Sequence, residues 1–274
     1  MACKLFIPGP TEVRKEILDE LARPQIGHRT QEFRDLFASL KPGLKKIFFT
    51  ENDVLISTSS GSGFWEAAIR SCVNKKVLHA VNGAFSKKWA DVSERCGREV
   101  EKVTFEWGKA VKAGDVDKAL SSEEYEAFCM VHNETSTGVA SNLKEISTIM
   151  KKHPGILWFV DAVSSLAGIK IEVDKLGIDI CITSSQKALA LPPGIAVASV
   201  SNRCYKKAEN VSGRGYYFDI LEWNAQMFIA TVYIFSPIFS FFSCFITSVI
   251  RDVWFIDSIS KLVVPHDPFI FWCF

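Results

Sequence analysis

Short apolar runs alternate along the chain with stretches whose apolar residues recur at helical spacing. The runs cover residues 54–56, 77–81, 128–131, 156–160, 180–183 and 195–198, each of strand length and most of them rich in β-branched side chains. Between several of them, residues 63–73 put Phe64, Ala67, Ala68 and Cys72 on one helical face, and residues 85–96 and 143–150 keep the same period. Strands alternating with helices predict an α/β fold around a mostly parallel sheet, whose crossovers cover both faces and whose ligands bind at the carboxyl ends of the strands. Too short a loop separates the last two runs for a crossover helix, so one of those strands is expected to run antiparallel.

At residue 223 the pattern changes. Residues 223–250 carry no charge, and ten of the 21 phenylalanines lie beyond Glu222. The chain is therefore read as a unit over 1–222 followed by an apolar tail over 223–274. Within the tail, 227–250 is long enough to span a bilayer as a helix, although Pro237 and hydroxyl residues such as Ser236 and Thr247 dilute it. The tail is expected to be an extension unrelated to the preceding pattern, with a membrane segment at 227–250 and a packed domain end as the alternatives.

Composition narrows the function classes. Apolar residues at 48% and charged residues at 23% exclude disorder as the overall state. Thirty-two basic against 31 acidic residues give no nucleic-acid footprint. The eight cysteines form no C-x-x-C pair, so neither a metal site nor a redox couple is expected. The first ten residues lack the basic cap and apolar core of a secretory signal, and Trp272-Cys273-Phe274 is not a peroxisomal Ser-Lys-Leu address. An intracellular protein is expected, with cytoplasmic, mitochondrial and peroxisomal sites all open.

Three strand ends carry candidate chemistry. The run at 54–56 leads into Ser59-Ser60-Gly61-Ser62-Gly63 and a helix, a turn that offers backbone N–H groups and a positive dipole end to a phosphate. Its spacing fits neither a dinucleotide fingerprint nor a Walker loop. The run at 156–160 ends on Asp161, an acid that also suits a cap for the segment after it. The run at 180–183 ends in Ser184-Ser185-Gln186-Lys187, with Ala188-Leu189-Ala190 giving the lysine an apolar setting that favours a nucleophilic amine. Taken singly, each has a bland structural explanation. Phosphate loop, strand-end acid and strand-end lysine together are the three attachments of pyridoxal phosphate.

At these residues the chain resembles a known family. The segments Ser60-Gly61-Ser62-Gly63, His132-Asn133-Glu134-Thr135-Ser136-Thr137-Gly138, Val160-Asp161-Ala162-Val163-Ser164-Ser165 and Ser184-Ser185-Gln186-Lys187-Ala188-Leu189 look like class V aminotransferases of the alanine–glyoxylate/serine–pyruvate group. Pro8-Gly9-Pro10-Thr11 and Gly27-His28-Arg29 match that group's N-terminal segment, and the resemblance covers about residues 4–222. It implies the fold type I architecture of pyridoxal-phosphate enzymes, a homodimer, and transfer of an amino group from serine or alanine to glyoxylate or pyruvate by a ping-pong route through a Lys187 aldimine. Asp161 would hold the pyridine nitrogen protonated, and Phe85 would stack on the ring where relatives often use tryptophan. Thr137 and Gln186 would lie beside the cofactor, Ser62, Gly63 and Ser184 would hold its phosphate, and Gly27 and His28 would line the substrate mouth. Cysteine desulfurases share the fold but usually place histidine where Gln186 stands. Relatives carry a small domain with an arginine that clamps the substrate carboxylate. No arginine here matches it, so this chain is expected to lack that domain, with a cofactor-binding or interaction chain without transferase activity as the alternative.

Overall fold

The computed structural model describes residues 4–24 and 26–229. In chain order it contains α1 (Lys15–Leu21), α2 (Gln31–Phe48), β1 (Asp53–Ser57), α3 (Gly61–Cys72), β2 (Lys76–Val81), α4 (Ala84–Arg95), β3 (Glu99–Thr104), α5 (Ala113–Leu120) and β4 (Ala127–Val131). A short hairpin of β5 (Asn133–Glu134) and β6 (Val139–Ala140) leads to α6 (Leu143–Met150), β7 (Leu157–Asp161), α7 (Val173–Leu176), β8 (Ile180–Ser184), β9 (Ala196–Val200), α8 (Asn202–Ala208) and α9 (Ile220–Ile229).

Seven strands form one sheet in the order β1-β9-β8-β7-β4-β2-β3. Only β9 runs against the others, pairing antiparallel with β1 and β8, as the missing crossover after β8 requires. All six apolar runs are strands of this sheet. Their continuous apolar character follows from burial on both faces. Phe128, Met130, Trp158 and Val160 join α2, α5 and α6 in one core, whereas Ala127, Cys129, Leu157 and Phe159 join α3, α4, α8 and α9 in the other. The period-2 alternation of each strand thus divides its side chains between two helical layers.

The sequence pattern missed β3. Its residues Glu99-Val100-Glu101-Lys102-Val103-Thr104 pair with β2 alone at the sheet edge, and the strand stays partly exposed along its length. An edge strand needs no apolar run, and charged side chains there deter pairing with other chains. Lys102 meets Glu94 of α4 at 2.7 Å.

Helix α9 passes through the change of composition at 223, and Trp223 packs edge-on against Phe64 and Phe218. The candidate span 227–250 lies almost wholly outside the described residues. Among the described residues, no helix is long and apolar enough to cross a membrane.

Candidate active site

Every candidate strand end opens on the same edge of the sheet, because β1, β8, β7, β4 and β2 run in one direction. Asp161 closes β7, faces the α3 layer and is only 4% exposed. Its Oδ2 accepts from the indole Nε1 of Trp65 at 2.7 Å and its Oδ1 from the amide of Val163 at 2.8 Å. The capping and the functional readings of this aspartate therefore coexist, since one oxygen caps the next turn while the carboxylate stays anchored at the strand end. Burial pushes its carboxyl up to about 6 against the pull of those two donors, and the nearby charges of Glu134 and Lys187 act in opposite directions on it. A buried acid so poised is ready to ionise beside a cation.

Trp65 was not singled out by sequence because it reads as a core aromatic of α3, and its ring does stack on Trp89 at 5.7 Å. Only the direction of its N–H reveals the second role. Trp65→Phe, which retains an aromatic ring but not the donor, is expected to cost about 1–2 kcal/mol at neutral pH and to move Asp161 further above about 6. A pH–stability profile superimposable on the parent's would contradict this.

Helix α3 starts two residues earlier than the glycine pattern predicts. Gly63 lies inside the first turn, with its amide bonded to the Ser60 carbonyl at 2.9 Å. The donors left for an anion are those nearer the helix start, at Gly61 and Ser62. Ser60 supplies no side-chain cap, so the positive end of α3 remains open. Close packing fixes this end in place: a Cβ on Gly61 would lie 2.7 Å from Val163 Cγ2, and one on Gly63 would lie 2.5 Å from Ser59 Oγ. Ser62 is half-buried in the same turn.

Ser184 ends β8 with a buried hydroxyl that has no protein partner among the described residues, and the same holds for Ser57 at the end of β1 and for Oε1 of Gln186. Ser57 and Ser184 both lie opposite Ala196 of β9, at the level of the α3 N-terminus. Ser57 stood at the end of a recognised strand, but nothing local marks its hydroxyl as unpaired. Buried, unpaired polar atoms beside an open helix end suit a phosphate-bearing ligand.

Lys187 lies in the turn after β8, half-buried. The apolar setting expected from its neighbours is not what meets the amine. Leu189 turns into the core, Ala188 is exposed, and Nζ donates to the Pro8 carbonyl at 2.7 Å. The segment 8–11 straps this turn: the Thr11 amide donates to the Gln186 carbonyl at 3.1 Å and the Thr11 hydroxyl to the Lys187 carbonyl at 3.2 Å. Gly9 has φ +128°, and a Cβ there would lie 2.6 Å from Lys187 Cδ, so the strap needs glycine where it crosses the lysine.

The remaining candidates lie around this cluster. Phe85 is the second residue of α4 and 39% exposed. Thr137 sits in the β5–β6 turn, its amide bonded to the Glu134 carbonyl at 3.1 Å. That hairpin is tied to the residues after β7, because Asn133 Nδ2 donates to Ser164 Oγ and Ser164 Oγ to the Asn133 carbonyl, both at 2.9 Å. Gly27 forms the turn that opens α2, where its carbonyl accepts from the amide and hydroxyl of Thr30, and His28 beside it is half-buried. The bonds made by Gly27 are internal to that turn and do not join it to Lys187 or Asp161. Among the described residues, no cluster of His, Cys, Asp and Glu could hold a metal ion.

Residues 11–235 match the family described as aminotransferase class-V, a match that runs past the change of composition at 223. The chain is 39% identical over 223 residues to an uncharacterised aminotransferase of Methanocaldococcus jannaschii, covering 80% of this chain and 58% of that protein. It is 36% identical over 235 residues to a serine–glyoxylate aminotransferase of Methylorubrum extorquens, covering 81% and 58%. The solved structure of an alanine–glyoxylate aminotransferase from Nostoc sp. superposes with a TM-score of 0.85 at 25% identity, over 92% of this chain and 68% of that one. The chain thus spans a little under three fifths of the length of these curated relatives.

Proposed function

The chain belongs to the class V aminotransferase family, and from that premise we propose that it binds pyridoxal phosphate and serves the transfer of an amino group from serine or alanine to glyoxylate or pyruvate. The observation that carries the reading is the pairing of Asp161 and Lys187 at the carboxyl ends of the neighbouring strands β7 and β8, beside the open N-terminus of α3. Family members use this cofactor, and the donor set fits it: a buried acid for a ring nitrogen, an amine for an aldehyde, and an open helix end with unpaired hydroxyls for a phosphate.

When bound, the cofactor supplies an electron sink for the pair left at the substrate Cα. Lys187 would hold it covalently and, once freed by the substrate amine, would be the group to carry the proton to and from Cα, as a two-stage ping-pong transfer requires. Asp161 would keep the ring nitrogen protonated. Phe85 would pack on the ring, Thr137 and Gln186 would lie beside it, and Ser62, the first turn up to Gly63, and Ser184 would take the phosphate. Gly27 and His28 face the substrate in this reading, and a second copy of the chain is the expected partner, as the group resemblance implies.

The test is the absorbance of the purified chain with pyridoxal phosphate, before and after borohydride, followed by mass mapping of the labelled peptide. A visible band and a reduced adduct on Lys187 are expected. Label spread over surface lysines would overturn the reading. Label on Lys187 without transfer from serine or alanine would favour the alternative of a chain that holds cofactor, or pairs with a longer relative, without completing the reaction.

A further inference from the structure

Glu134 is fully buried, and beyond the effect of its charge on Asp161 none of the chemistry above uses it. It ends β5, and its carboxylate reaches across to the first turn of α4. There it accepts from the amides of Phe85 and Ser86 at 3.2 and 2.9 Å and from the Ser86 hydroxyl at 2.9 Å. From its own hairpin it takes the amide and hydroxyl of Ser136 at 3.2 and 2.7 Å, and Ser136 Oγ in turn accepts from the amide of Ala84 at 2.9 Å.

This arrangement replaces an ordinary helix cap. The residue before α4 is Gly83, which has no side chain to offer, and it is glycine for a visible reason: a Cβ there would lie 2.3 Å from Glu134 Cγ and 2.6 Å from Cδ. The orphan amides of the first turn are satisfied instead by a carboxylate from another element, placed where the helix dipole favours negative charge. Charge-assisted bonds of this kind are stronger than those of a serine or asparagine cap.

The same residue holds a second candidate through its main chain. The Glu134 carbonyl accepts from the amides of Thr137 and Gly138 at 3.1 and 2.9 Å. Phe85 and Thr137, 52 residues apart in sequence, are therefore fixed to one point. Phe85 is 39% exposed, and so lacks the enclosing core contacts that lock a buried ring. Its direction is set by the backbone of the turn that Glu134 grips.

We propose that Glu134 is a positioning residue for the cofactor, holding the Phe85 ring and the Thr137 turn in one frame so that both meet the pyridoxal ring. The inference rests on the cofactor reading above. It adds a residue that touches neither cofactor nor substrate.

The test combines amide exchange with a double-mutant cycle. In Glu134→Gln one side-chain oxygen becomes an NH2 that faces donors. Exchange protection at Phe85 and Ser86 is expected to fall about tenfold while β4 and β7 keep theirs. The dissociation constant for pyridoxal phosphate is expected to rise about tenfold in Glu134→Gln and in Phe85→Ala, with the double variant no weaker than the worse single one, because the first acts through the second. Losses that multiply, or unchanged protection at Phe85 and Ser86, would overturn the proposal while leaving the cofactor reading intact. Should Glu134→Gln fail to fold, Ser136→Ala removes only the outer part of the clasp, and a loss of a few-fold that vanishes in the Phe85→Ala background is then expected. A parent chain that takes no cofactor on Lys187 would defeat the cofactor reading itself, and the role of Glu134 with it.

Discussion

Lys187→Ala is expected to remove all cofactor that borohydride can fix to the site and to lower amino transfer by on the order of 10⁴-fold. Two separate jobs end together in this variant. The amine that sits over the Pro8 carbonyl in the turn after β8 is lost, and the proton relay to Cα loses its carrier. The fold is expected to survive. Losing the bond to Pro8 costs about 1 kcal/mol, whereas the strap stays tied through the bonds from Thr11 to the main-chain carbonyls of residues 186 and 187. Circular dichroism and the melting temperature should then match the parent within a few degrees, with the label absent from the peptide that contains residue 187. A variant that retained the visible band and the same label yield would move the covalent attachment to another lysine and sink the assignment.

The six apolar strands were legible in the sequence because each is a local signal, and Asp161 and Lys187 drew notice as candidates because they stand next to two of them. A strand buried on both faces must be apolar throughout, so β4, β7 and β8 announce themselves; Asp161 stands out as the acid that ends β7, and Lys187 as the charge three residues past β8. Helix α6 was legible in full from its apolar period, and the structure adds the cap: Asn142 accepts from the amides of Lys144 and Glu145. Edge strand β3 was not, since it buries little and needs charge more than apolar surface.

The rest of the site depends on contacts between distant parts of the chain, and no window of sequence holds them. Trp65 and Asp161 are 96 residues apart, Glu134 and Ser86 48, and Lys187 and Pro8 179. Glu134 lies in the His132–Gly138 motif and Trp65 in the helical stretch 63–73, yet their roles reside in the direction of one carboxylate and one N–H. At Gly63 the sequence misplaced a boundary: the glycine pattern starts the helix there, but α3 begins two residues before it, and the Gly63 amide is bonded to Ser60.

Asp161→Asn is expected to weaken cofactor retention by on the order of 100-fold, since removing one partner of a buried, hydrogen-bonded charge pair costs roughly 2–5 kcal/mol. The parent itself has a distinctive pH signature. Burial raises Asp161 from an ordinary 3.8 to about 6, so the folded chain holds that proton more tightly than the unfolded chain does. Its contribution to stability is therefore fully present below the unfolded value and is lost as pH rises through about 6, a decline of roughly 3 kcal/mol. Cofactor binding should run the other way. A protonated ring nitrogen wants the ionised acid, so affinity is expected to climb as pH rises through the same interval. Asparagine cannot ionise, and both slopes should flatten. It also has one oxygen for two donors, so either the Trp65 indole or the Val163 amide must face its NH2 group. Near neutral pH that loss is set against relief from burying a charge, and the net change in stability should stay within about 2 kcal/mol. Unfolding free energies and cofactor dissociation constants at pH 5 and pH 7.5, for parent and variant, read all of these at once. Equal cofactor affinities for the two chains at the higher pH would mean that Asp161 does not meet the ring nitrogen, and its raised pKa would then reflect burial alone.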